Sequence, residues 1–155
     1  MTKEKVLTRL AQSRQALLQA IHGLSVEEMT QVQVEGEWTI KDVLGHIASW
    51  DKVCLAPLQR FADGVSFQVE VIEDYLAWND VQAAAKRDLP LGVVLDELTA
   101  VRQALADLAE RLSAERWEQQ ISFPWGGEGT VAQALDGLSG HEMAHVRTVR
   151  QWRGD

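Results

Sequence analysis

Gly140-His-Glu-Met-Ala-His-Val146 is the stretch on which the reading of this chain turns. It lies within a long amphipathic run, and residues four apart on a helix project from the same side. His141 and His145 can therefore each offer one nitrogen to a single metal ion. Only two other histidines occur. His46 lies in Ile40-Lys-Asp-Val-Leu-Gly-His-Ile-Ala-Ser-Trp50, at the edge of an apolar stripe between Val43 and Trp50. His22 precedes Gly23 at a helix end, where an imidazole suits the helix dipole, and reads as a surface cap. A His-x-x-x-His spacing alone is common, and two hydrogen-bonded core histidines would explain it equally well. The third histidine shifts the balance. Burying three imidazoles without a shared partner costs roughly 1–3 kcal/mol each, and one divalent ion satisfies all three.

Helical periodicity extends outward from these two segments. A first helix is expected from about Lys3 to His22, burying Val6, Leu10, Leu17, Leu18 and Ile21 and ending at Gly23 as a left-handed cap. Ser25-Val-Glu-Glu28 has the form of a capping box, and Gln31 to Trp38 reads as a loop. Thr39 caps the His46 helix, with Asp42 reaching back to the cap amide. Val43, Ile47, Trp50, Cys54, Leu58 and Phe61 form its buried stripe, and Pro57 should kink or interrupt it. Ile72 to Lys86 reads as a shorter helix, and a long one follows Pro90 to about Leu112. Ile121 to Gly129 reads as a second loop, before a Thr130/Gln133 capping box and a last helix to about Arg153. On that helix, the face of Val131, Leu135, Leu138, Val149 and Trp152 is expected to carry His141 and His145. Four principal helices and a short insertion predict an all-α four-helix bundle, a single domain over residues 1–155.

Composition narrows the function. Fifteen basic residues against 23 acidic ones leave a formal net charge of −8. That disfavours a tracker of nucleic-acid phosphates and docking on anionic lipid. No apolar run approaches the ~20 residues of a membrane span, and the N-terminus lacks a signal-peptide core. The lone Cys54 suits a reducing, cytoplasmic setting and reads as a small core hydrophobe rather than a nucleophile. The two long loops lead into the histidine helices, which makes Trp38 and Trp125 candidate walls of a substrate pocket, with Trp78 and Asn79 from the short helix. Core filling is the competing role for these tryptophans. Asp42 and Glu142 are candidates to orient an imidazole from behind. The competing roles are helix capping for Asp42 and a solvated surface position for Glu142. Leu91, Val93, Val94, Leu95 and Leu98 make one helix apolar around much of its circumference, which suggests a homodimer face, the alternative being that the inserted short helix covers the stripe within the monomer.

Gly36-Glu-Trp-Thr-Ile-Lys-Asp-Val-Leu-Gly-His-Ile-Ala-Ser-Trp-Asp51 resembles the second-helix signature of the DinB/YfiT-like superfamily of metalloenzymes, and Gly140-His-Glu-Met-Ala-His145 resembles its last-helix signature. The order and separation of the two also fit, and the likeness covers nearly the whole chain. Tyr75-Leu-Ala-Trp-Asn79 and Phe123-Pro-Trp-Gly-Gly127 look closer to the branch of ClbS/DfsB-type self-protection proteins. The resemblance implies an up-down-down-up bundle in which His46, His141 and His145 hold nickel, zinc or a similar divalent ion. It also implies that dimers are common. Some relatives transfer low-molecular-weight thiols such as bacillithiol or mycothiol, and others isomerise or hydrolyse small molecules. The extra C-terminal domain of the mycothiol-dependent isomerases has no counterpart here, which speaks against that particular activity.

The leading expectation is thus a metal-dependent enzyme, a hydrolase or thiol transferase, acting on a small electrophile. A non-catalytic protein that sequesters a small molecule for self-protection is the alternative, and a dimer with a vestigial site is a third option.

Overall fold

In a computed structural model describing residues 1–155, the elements follow in the order α1 (Lys3–Ile21), α2 (Val26–Gln31), β1 (Gln33–Glu35), β2 (Trp38–Thr39), α3 (Ile40–Ala62), α4 (Tyr75–Lys86), α5 (Leu91–Arg111), α6 (Ala114–Glu118), β3 (Gln120–Ser122), β4 (Glu128–Thr130) and α7 (Val131–Arg153). Long-range polar pairs give the direction of each long helix. Along α1 and α7, Arg9 meets Asp136, Ser13 meets Glu142 and Arg153 meets the Ala20 carbonyl, so these helices run parallel. Along α3 and α5, Asp51 meets Arg102 and Asp63 meets Arg111, so these are parallel too. Lys3 reaches the Glu110 and Leu112 carbonyls, while Arg14 reaches that of Leu98, which sets α1 antiparallel to α5. The bundle is therefore all-α and up-down-down-up. No helix is long and apolar enough to cross a membrane.

The caps form where the sequence places them. Ser25, Thr39 and Thr130 each make complete capping boxes, with Glu28, Asp42 and Gln133 respectively. Each cap is worth ~1 kcal/mol. Gly23 takes a positive φ of 80°, as expected after the first helix. The stripe Val43, Ile47, Trp50, Cys54, Leu58 and Phe61 is buried throughout. Burial also pushes the Cys54 thiol up to about 12, so it remains a protonated core group.

Several expectations require correction. Leu18 is exposed, while Leu17 beside it is buried. Both connectors expected as loops contain short antiparallel hairpins, β1–β2 and β3–β4. Two- and three-residue strands leave too little alternation to be read from sequence. The helix α6 was not anticipated; Ser113 caps it, and it buries Trp117. Of the two effects expected of Pro57, a kink or an interruption, the interruption does not occur, since α3 is continuous from Ile40 to Ala62. Pro57 is buried, and the tertiary packing of a 23-residue helix outweighs one lost hydrogen bond. The apolar stripe on α5 is mostly covered within the chain. Val94 and Leu98 are core, Leu91 and Leu95 pack partly against it, and only Val93 stands out at 47% exposed.

One close approach positions the site. A Cβ at Gly45 would lie 3.2 Å from Lys86 Cδ, so glycine lets α4 lie tight against α3 immediately before His46. Lys86 then donates to the Gly45 carbonyl and pairs with Glu97 of α5.

Candidate metal centre

The three histidines converge. His46 Nε2 lies 2.9 Å from His141 Nε2, and His145 Nε2 lies 3.1 Å from the same atom. All three ligating nitrogens fall within 4.8 Å of one another. Nitrogens sharing a zinc-like ion at ~2.0–2.1 Å stand roughly 3–3.5 Å apart, so this spacing suits one small cation. A spacing of four residues on α7 stacks His141 and His145, and the antiparallel α3 brings His46 across to them.

The protonation states suit ligation. Burial, reinforced by the neighbouring imidazoles, lowers His46 to about 3. Burial and then His145 lower His141 to about 4. Both rings are neutral at pH 7, with lone pairs available. His145 is oriented from behind by a residue that sequence reasoning missed. Its Nδ1 donates to Glu35 Oε2 at 2.9 Å and lies 3.1 Å from Oε1. That hydrogen bond, outweighing burial, holds the Glu35 carboxyl below its usual range. An ionised carboxylate only accepts, so Nδ1 carries the proton and Nε2 is left free towards the other histidines. Glu35 sits on β1, far from the histidines in sequence, and no local pattern announces it.

The two residues expected behind the imidazoles are elsewhere. Asp42 is committed to its cap, accepting from the Thr39 amide at 3.0 Å and from the Thr39 hydroxyl at 3.1 Å. Glu142 is neither solvated nor turned to a histidine: it is 0% exposed inside the bundle. It accepts from Ser13, from Arg14 at 2.7 Å and from Arg102 at 2.6 Å. Arg102 also pairs with Asp51 at 2.8 Å, so α1, α3, α5 and α7 meet in one buried ionic network. The core face of α7 thus runs Leu135, Leu138, Glu142, Val146, Val149, and the histidines lie on its flank towards α3. Periodicity alone could have found this, because Asp51, Arg102 and Glu142 each occupy an apolar position of their helix.

A cleft of about 500 Å³ opens beside His46 and His141. Asn79 and Trp125 line it together with Trp50, Tyr75 and Leu138. Trp38 and Trp78 do not line it. Trp38 packs on His46 with ring centroids 4.7 Å apart, and Trp78 backs Trp50 at 4.6 Å. Both stand one layer behind, as aromatic filler that steadies the lining rings.

A family model described as the DinB superfamily matches residues 9–149. The chain belongs to the DinB superfamily. Within it, the chain is 24% identical over 134 residues to "Putative metal-dependent hydrolase OB0413" of Oceanobacillus iheyensis, covering 85% of this chain and 74% of that protein. Among solved DinB-like structures, the mycothiol-dependent maleylpyruvate isomerase superposes with a TM-score of 0.79 at 12% identity. The match covers 96% of this chain but 61% of the isomerase, so the chain spans less than two thirds of that protein. The colibactin self-resistance protein ClbS, solved in complex with double-stranded DNA, superposes with a TM-score of 0.79 at 13% identity, covering 97% of this chain and 94% of that one. At such identities, likeness to solved structures shows the shared DinB fold. A metal-dependent function is consistent with the family, the relative's name and the three-histidine cluster.

Proposed function

We propose that this DinB-superfamily protein is a metal-dependent enzyme that holds a divalent ion, nickel or zinc, on His46, His141 and His145 and hydrolyses a small electrophile in the adjoining cleft. The observation that carries the reading is the convergence of three imidazole nitrogens, with His46 buried, His141 half-buried and neutral like it, and His145 fixed by Glu35. An ion bound there would supply Lewis acidity at the end of the cleft. The chain's own residues do the rest. Glu35 fixes the His145 ring, Trp38 packs against His46, and Trp50 and Trp125 offer apolar faces to the substrate.

Thiol transfer, with a low-molecular-weight thiol as co-substrate, is the second reading, and the likeness to a mycothiol-dependent isomerase favours it. A net charge of −8 supports a small molecule over nucleic acid as the partner, although the ClbS structure contains DNA. The lone buried Cys54 is in keeping with a cytoplasmic protein. A homodimer would use a face other than the covered α5 stripe.

Elemental analysis of the purified protein, followed by turnover of an aryl-ester panel with and without added thiol, tests the proposal. Bound metal and ester hydrolysis lost on chelation are expected. Metal binding without turnover would favour sequestration instead, and absence of metal affinity would remove the site.

A further inference from the structure

The cleft has a composition that selects its ligand. Trp50, Tyr75, Trp125 and Leu138 form its walls, and no Lys, Arg, Asp or Glu side chain lines it. Trp50 meets both His141 and Trp125 edge-to-face, each with ring centroids 6.4 Å apart. Phe123 backs Trp125 at 5.3 Å and Trp78 backs Trp50, so both rings are held in place. Away from the histidine end, a charged ligand body would shed water without meeting a wall charge. A flat apolar body would gain aromatic contacts, worth roughly 0.5–1.5 kcal/mol per ring pair beyond its burial.

One polar group is oriented by its neighbour. Trp50 Nε1 donates to Asn79 Oδ1 at 2.9 Å. An indole nitrogen only donates, so the amide cannot be reversed, and the Asn79 NH2 is left as the donor of this wall. Its natural partner is an uncharged acceptor such as a carbonyl oxygen. The width of the cleft is set where Trp125 passes over α7. A Cβ at Gly137 would already touch Trp125 Cζ2, at 3.5 Å, and a longer side chain would enter the cleft.

We propose that the cleft is specific for uncharged, flat, carbonyl-bearing molecules (aryl or conjugated carbonyl compounds), with the ring system laid against the corner that Trp50 and Trp125 form and the carbonyl oxygen on the Asn79 amide. This rests on the proposed function for the chemistry at the histidine end, but the recognition itself needs no ion.

Isothermal titration calorimetry on the full-length, metal-stripped protein tests it, with 2-naphthamide and 2-naphthoate as probes of nearly equal shape and different charge. Naphthamide should bind about ten-fold more tightly, the size expected when one ligand keeps a hydrogen bond and the other adds an unpaired charge. Asn79→Asp retains an acceptor for Trp50 but removes the donor, and should abolish the preference for the amide. Gly137→Leu improves helix propensity, so the fold should hold, and should eliminate binding of both probes. Equal affinities, a preference for naphthoate, no heat from either probe, or unchanged binding to Gly137→Leu would each overturn the proposal. Because the protein is metal-free throughout, failure of the metal reading would appear separately, in the elemental analysis.

Discussion

Glu35 decides which nitrogen of His145 carries the proton, and that makes it the most testable single residue of the site. Loss of a carboxylate behind a histidine ligand typically costs 10–100-fold in metal affinity. Glu35→Ala should therefore weaken zinc binding by about that factor, read by competition with a chromophoric chelator. Glu35→Gln keeps an acceptor for Nδ1–H and should lose less; equal loss in both variants would mean that the negative charge matters and the tautomer does not. A second expectation concerns pH. His46, at about 3, and His141, at about 4, are both depressed from 6.5, so the unfolded chain binds more protons between those values and 6.5. In the metal-free protein their contribution to stability is complete above 6.5 and is lost as pH falls towards 3–4. Urea midpoints at about pH 7.5 and about pH 5 should differ in that direction. The double variant His46→Asn, His141→Asn should show a shallower pH dependence. The histidines were legible in the sequence because a four-residue spacing is a local fact about a helix. Glu35 was not, because its role arises only when a hairpin folds back on α7.

At the scale of elements, the buried network of Arg14, Asp51, Arg102 and Glu142 ties the four long helices at one level. Two cations and two carboxylates balance in charge. Burial alone would lower the Arg102 pKa, yet the Asp51 and Glu142 carboxylates beside it raise it. Removing one partner leaves buried charges uncompensated. Arg102→Met should cost roughly 3–5 kcal/mol, measured by urea unfolding; a loss below about 1 kcal/mol would mean that water or Arg14 substitutes for it. The helices themselves were readable from period and caps, since Ser25, Thr39 and Thr130 act within three residues of their partners. The hairpins and α6 were not, because their few residues are stabilised by what they pack against.

At the scale of the whole molecule, the parallel pairs α1/α7 and α3/α5 face each other antiparallel, which brings His46 to the flank of α7 where His141 and His145 project. The same packing covers the α5 stripe. Val93→Lys should therefore leave the mass measured by light scattering unchanged, whereas a drop to half the wild-type mass would identify this face as an interface after all. By itself the sequence determined the helix content, the caps, the three histidines and the net negative charge, because each depends on neighbours within a turn or on composition. Only the tertiary structure decided that Glu35 serves His145, that Glu142 pairs with Arg14 and Arg102, and that Trp50 lines the cleft while Trp38 and Trp78 stand behind. Those assignments depend on which helix faces meet, and a rotation of roughly 100° about the α7 axis, the angle between neighbouring residues, exchanges a buried ion-pair partner for a ligand.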